Sequence, residues 1–156
     1  MTEEQEKQFI LYGCGSRCLI AMANNLGIAI TREEFIDRFS PDYPQWITHC
    51  GITNTSMLID LARKIGISHW ADTTADFDLL LKHQAEGRLR GAILMTARQP
   101  TDNGMAVVHH SRWFTGWNQN DLLVWHPDGS GADLQNQPVP IQELACLKSH
   151  FLMFLA

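Results

Sequence analysis

The stretch Val107-Val-His-His-Ser-Arg-Trp-Phe-Thr-Gly-Trp-Asn-Gln-Asn-Asp-Leu-Leu-Val-Trp125 holds two apolar, alternating runs joined through Gly116-Trp-Asn-Gln-Asn-Asp121. Asn and Asp tolerate the backbone angles of tight turns, so this tract reads as a hairpin and the sheet containing it as antiparallel. Further strands are expected at Arg90-Gly-Ala-Ile-Leu-Met-Thr96 and over His150 to Leu155, each bounded by turn-forming residues. Residues 105–117 form the longest of them. Upstream of residue 88 the apolar period is helical instead. Helices first and strands later, without the alternation of a parallel sheet, is an α+β layout.

The helical half divides at its glycines and caps. Cys18, Leu19, Met22 and Leu26 recur at helical spacing and Gly27 ends the run, which predicts a first main helix over 14–26. Thr31-Arg-Glu-Glu34 is a capping-box pattern preceding Phe35, Ile36 and Phe39, and a short helix follows that ends before Pro41. Residues 40–51 carry two prolines and no period, the signature of a loop, here placed to line a cleft. Thr53 or Asn54 caps a third helix whose stripe is Met57, Leu58, Leu61, Ala62 and Ile65, closed by Gly66. A short strand is expected at 67–71 and a fourth helix at 76–87.

The whole chain, residues 1–156, reads as one domain, long enough to bury a sizeable core. With 45% hydrophobic and 19% charged residues it has the composition of a globular protein. A net charge of −5 and the lack of any Lys/Arg cluster argue against nucleic acid as a partner. No apolar run approaches the ~20 residues that span a bilayer, and the start, Met1-Thr-Glu-Glu-Gln-Glu-Lys7, is acidic rather than an export signal. A cytoplasmic protein without membrane insertion is the expectation. Its cysteines, Cys14, Cys18, Cys50 and Cys146, are then reduced thiols.

Cys14 stands where a glycine-flanked turn feeds the first main helix. The unpaired N–H groups and the positive dipole end at such a position favour thiolate over thiol, whereas burial would favour the thiol. A thiolate nucleophile needs a base that also protonates a leaving amine, and neutral imidazole serves both roles near pH 7. His109 and His110 lie on the longest strand and alternate between its faces, so only one of them can face the helix of Cys14.

Gln8 six residues before Cys14-Gly15, His110, Thr115-Gly116-Trp117 before a turn, and Val124-Trp-His-Pro127 together resemble the bacteriocin-processing peptidases and their stand-alone relatives. These are papain-like enzymes that, as leader-cleaving domains of peptide exporters, cut after a double glycine. The likeness extends over nearly the whole chain, including the helix after residue 53 and the strand up to Thr96. It implies a papain-like fold, N-terminal helices carrying the Cys packed on a C-terminal antiparallel sheet carrying the His. It further implies a peptide or protein substrate, no cofactor, Cys14 as nucleophile, His110 as base and then acid, and Gln8 as a donor to the oxyanion. The family places Asp before Pro sixteen residues beyond its His, and this chain has His126 there. A neutral His can accept the N–H of the base without offering a full negative charge. Asp128 is the substitute if extended geometry continues past Pro127.

The function expected is therefore hydrolysis of an amide bond through a Cys-His thiolate and a thioester, foremost as a cysteine peptidase. A glutamine deamidase uses the same dyad. A catalytically inactive, peptide-binding papain-like domain is the third reading, with Trp46, Trp70, Trp113, Trp117 and Trp125 as material for a cleft. A zinc site drawn from Cys14, Cys18, His49, Cys50, His109, His110 and His126 lacks recognisable ligand spacing, so no metal is expected.

Overall fold

The computed structural model describes residues 2–43, 55–67 and 70–156. Its helices are α1 (Glu3–Tyr12), α2 (Cys14–Asn25), α3 (Arg32–Phe39), α4 (Thr55–Lys64) and α5 (Phe77–Ala85), and its strands β1 (Trp70–Thr74), β2 (Leu89–Thr101), β3 (Gly104–Trp117), β4 (Asp121–Pro127), β5 (Asp133–Pro140) and β6 (Ser149–Leu155). The six strands form one sheet in the order β1-β6-β2-β3-β4-β5, every neighbouring pair antiparallel. The α+β class is as expected from the sequence, with N-terminal helices packed on an antiparallel sheet.

Each face of the sheet has its own core. On one face α1 to α4 lay Phe9, Cys18, Leu19, Met22, Phe35, Phe39, Leu58 and Leu61 over Ile93, Met95, Leu152 and Phe154. On the other, Leu80 of α5 with Leu144 and Leu147 covers Ala92, Leu94, Phe114, Leu122, Val124, Phe151 and Met153. The fourth predicted helix thus lies on the opposite face from the first three. Strand β6 is buried on both sides, which is why Phe151-Leu-Met-Phe-Leu155 is apolar without alternation. At Gly91 the sheet leaves no room for a side chain, because a Cβ there would lie 2.2 Å from Met22 Sδ; α2 rests against β2 at that point.

Two elements go beyond the sequence reading. Residues 3–12 form α1, started by a capping box in which Thr2 accepts from the Gln5 N–H and Gln5 returns the bond, with Glu3, Glu4 and Glu6 in the first turn where the dipole favours them. Strand β5 carries Pro138 and Pro140, and an edge position accommodates these because one side of an edge strand needs no donor. The strand expected at 67–71 begins at Trp70: the Ile67 N–H is used to close α4 on Ala62 O at 2.8 Å, after Gly66 at φ +91°. The capping box at Thr31 is present as read. Thr53 and Asn54, the expected caps of α4, and most of the loop 40–51 lie outside the described residues.

Candidate active site

Cys14 is the first residue of α2, and one residue separates that helix from α1. Gly13 serves both: its N–H donates to Phe9 O at 2.8 Å and its carbonyl accepts from the Arg17 N–H at 2.8 Å. A Cβ at Gly13 would lie 2.5 Å from Phe9 O, so the tight junction requires glycine. No side chain caps α2. The N–H groups of its first turn, that of Cys14 among them, therefore have no acceptor within the helix. Cys14 is half-buried, whereas Cys18 one turn on is fully enclosed and its thiol is pushed well up by burial.

Gln8 sits on α1, one turn and a junction before Cys14. Its Nε2 donates to Glu4 Oε1 at 2.9 Å, and the same nitrogen carries a second N–H. The structure gives Gln8 this helical partner and joins it by no hydrogen bond to Cys14.

Histidines 110 and 126 meet. Their Nε2 atoms are 3.2 Å apart, with ring centroids 4.6 Å apart and tilted by 51°. The contact follows from register: Trp113 pairs with Trp125 and Phe114 with Val124, and continuing that ladder brings the middle of β3, where His110 lies, beside the end of β4. Within such a pair one nitrogen donates and the other accepts. His110 is pushed down to about 3, first by burial and then by the positive charge of Arg112, with Asp128 opposing. His126 is also lowered, again chiefly by burial. Both rings are therefore neutral near pH 7.

Asp128 makes no hydrogen bond to His110. Its carboxylate accepts from the Ser130 hydroxyl, and its backbone closes the β4–β5 hairpin through Asp128 N–H to Ala132 O at 2.9 Å. It is a turn former whose charge reaches both histidines. Of the two candidates for the third position, His126 is the one in contact with His110.

The neighbours on β3 are set by the β2 register, which pairs Ser111 with Met95 and His110 with Thr96. Ser111, and by alternation His109, therefore share with Met95 the face that α2 covers, whereas His110 shares the face of Thr96 and no hydrogen bond joins it to Cys14; a cleft at this edge is lined by Thr55, Met95, His109, His110, Ser111 and His150. His109 is exposed, Ser111 is buried and His110 is half-buried.

Two arginines, not singled out in the sequence, organise this region. Arg17 is buried in α2 and donates to Ile10 O at 3.2 Å, Asp128 O at 2.6 Å, Ala132 O at 3.3 Å and Asp133 Oδ1 at 2.9 Å. It ties the helix of Cys14 to the hairpin that follows His126. Arg112 lies two residues after His110, hence on the same strand face, and its charge is felt by His110 and His126 while Cys14 and Cys18 act on it in turn. A charged residue inside an otherwise apolar strand was the available signal for Arg112; nothing local marked Arg17.

No family model matches this sequence, and no curated protein matches it significantly. Among the described residues no three His, Cys, Asp or Glu side chains gather as a metal site. His49, Cys50 and Trp46 fall outside them. No described helix is long and apolar enough to cross a membrane.

Proposed function

We propose that this chain is a papain-like cysteine hydrolase that cleaves an amide bond in a peptide or protein, with Cys14 as nucleophile and His110 as base. The observation that carries the reading is the pairing of His110 with His126 at 3.2 Å on strands tied through Arg17 to the uncapped helix start that bears Cys14. With His126 as acceptor, His110 holds its own proton on Nε2 and offers the Nδ1 lone pair to the thiol.

In the reaction, Nδ1 takes the thiol proton as sulfur attacks the carbonyl carbon. The oxyanion that forms is met by the Cys14 backbone N–H and by the second N–H of Gln8 Nε2; one fixed donor of this kind contributes about 3 kcal/mol. The carbon–nitrogen bond then breaks as His110 returns the proton to the leaving nitrogen, which leaves a thioester. Water attacks the thioester, gives a proton to the same Nδ1, and the thiol is restored as the acid departs.

Mass spectrometry of peptide substrates incubated with the protein tests this. Cleaved chains establish a peptidase, and an intact chain whose glutamine has become glutamate establishes a deamidase. Either product should vanish in Cys14→Ala. Product formation that persists in that variant, or binding without any product from the intact protein, overturns the reading.

A further inference from the structure

Two nearly enclosed hydroxyls line the cleft beside Met95. Thr96, 4% exposed, keeps its Oγ1 buried without a partner, and Ser111, 2% exposed, makes no side-chain hydrogen bond among the described residues. A hydroxyl taken from water and left unpaired is costly, so its surroundings show what could satisfy it. Register sets those surroundings. Met95 pairs with Ser111 on one side and with His150 on the other, so the three stand in a row on the face that α2 covers. Thr55, the first residue of α4, reaches this row and donates to Met95 Sδ at 3.6 Å. Next to the row the ladder slips: His110 pairs with Thr96 and Val107 with Arg98, so Val108 and His109 stand opposite Ala97 alone. Such a bulge bends the strand and re-aims its side chains, and residues from both faces line the opening, a cavity of about 70 Å³.

The chemistry of this cavity is narrow. Three hydroxyls and three imidazoles surround Met95, and no acid, lysine or arginine lines it. Burial lowers His110 and His150, so both are neutral near pH 7. A hydroxyl and a neutral imidazole each donate and accept, which suits a neutral guest that does both. An alkyl side chain would leave the hydroxyls unpaired, and a carboxylate would meet no cation. At roughly 10–15 Å³ per water the space holds about five, close to the number of non-hydrogen atoms in a glutamine side chain. We propose that this cleft receives the carboxamide side chain of a glutamine in the substrate, paired with the hydroxyls of Ser111 and Thr96. The proposal deepens the hydrolase reading and rests on it for the role of the cleft, because His110 is both the base of that reading and a lining residue.

The NMR signal of the Met95 ε-methyl group reads occupancy of the cleft without turnover, in Cys14→Ala as well as in the unmodified protein. N-acetylglutamine methylamide should shift it to saturation at a concentration at least about tenfold lower than the leucine and glutamate counterparts. Ser111→Ala and Thr96→Val each remove an oxygen that holds no partner in the fold, so each should leave the protein folded. Each should weaken the glutamine derivative by about fivefold and the leucine derivative by less than about twofold. Equal saturation by the glutamine and leucine derivatives in the unmodified protein, or a loss in neither variant, overturns the proposal. A selective shift in a protein that turns over no peptide overturns the hydrolase and leaves the carboxamide site standing. Turnover of peptides without glutamine as fast as of those with it does the reverse.

Discussion

The two ends of the candidate site are built by opposite means. Cys14 is held by the chain immediately around it: a capped α1, one obligatory glycine, and the bare first turn of α2. His110 is held by partners distant in sequence, since its neighbour His126 is sixteen residues away and comes beside it only through the pairing of β3 with β4. Even the adjacent His109 does not share its situation. Both line the cleft beside Met95, but His109 is exposed whereas His110 is half-buried against an imidazole. A locally built end is insensitive to register, whereas the other end depends on it entirely. Arg17 is the physical link between them.

The comparison can be broken most sharply at the histidines. His110→Gln should lower the hydrolytic rate constant by about 10²- to 10⁴-fold, while His109→Gln changes it by less than about threefold, as read in a kinetic assay on the same peptide. Equal losses in both would remove the distinction that register draws.

The link is tested next. Arg17→Met deletes four hydrogen bonds and leaves the carbonyls of Ile10, Asp128 and Ala132 without this donor, which should cost about 3 kcal/mol in urea unfolding. A cost below about 1 kcal/mol would mean the two ends do not depend on it.

The smallest effect concerns acid. His110 in the folded protein is depressed to about 3 from an ordinary 6.5, so between those values the unfolded chain binds the extra proton. Stability is therefore fully present above about pH 6.5 and is lost as pH falls toward 3. One proton contributes at most about 1.4 kcal/mol per pH unit, and the half-exposure of the ring reduces this. His126→Asp places a carboxylate beside the base, favours its charged form and should flatten the slope measured by unfolding at successive pH values. A steeper slope in that variant would show that His126 is not what His110 rests against.

Much of the architecture was legible in the residues because local chemistry repeats there. The Thr31 capping box, the stripe of α4 and the Asn118–Asp121 turn each depend on neighbours within a few positions. The polar Glu3–Tyr12 segment escaped because its hydrophobic stripe is thin, with Phe9 alone buried, although Thr2 and Gln5 signalled its start. Strand β5 escaped because two prolines argue against a strand until its edge position is known. At the site, Cys14 was named from its place at a helix start, and His110 and His126 from the family resemblance. The engagement of Gln8 by Glu4 and of Asp128 by Ser130 was not, since either side chain has several partners within reach in an unfolded chain.

By itself the sequence determined that helices precede an antiparallel sheet and that a thiol begins the helix after Gly13, because periodicity, caps and turn residues act over one or two turns of chain. Tertiary structure alone decided that His126 rather than Asp128 meets His110, and that Arg17 and Arg112 converge on this region from α2 and β3. Such contacts depend on strand register and on how closely a helix approaches a sheet. Those quantities are fixed by packing across the whole molecule, and no local pattern encodes them.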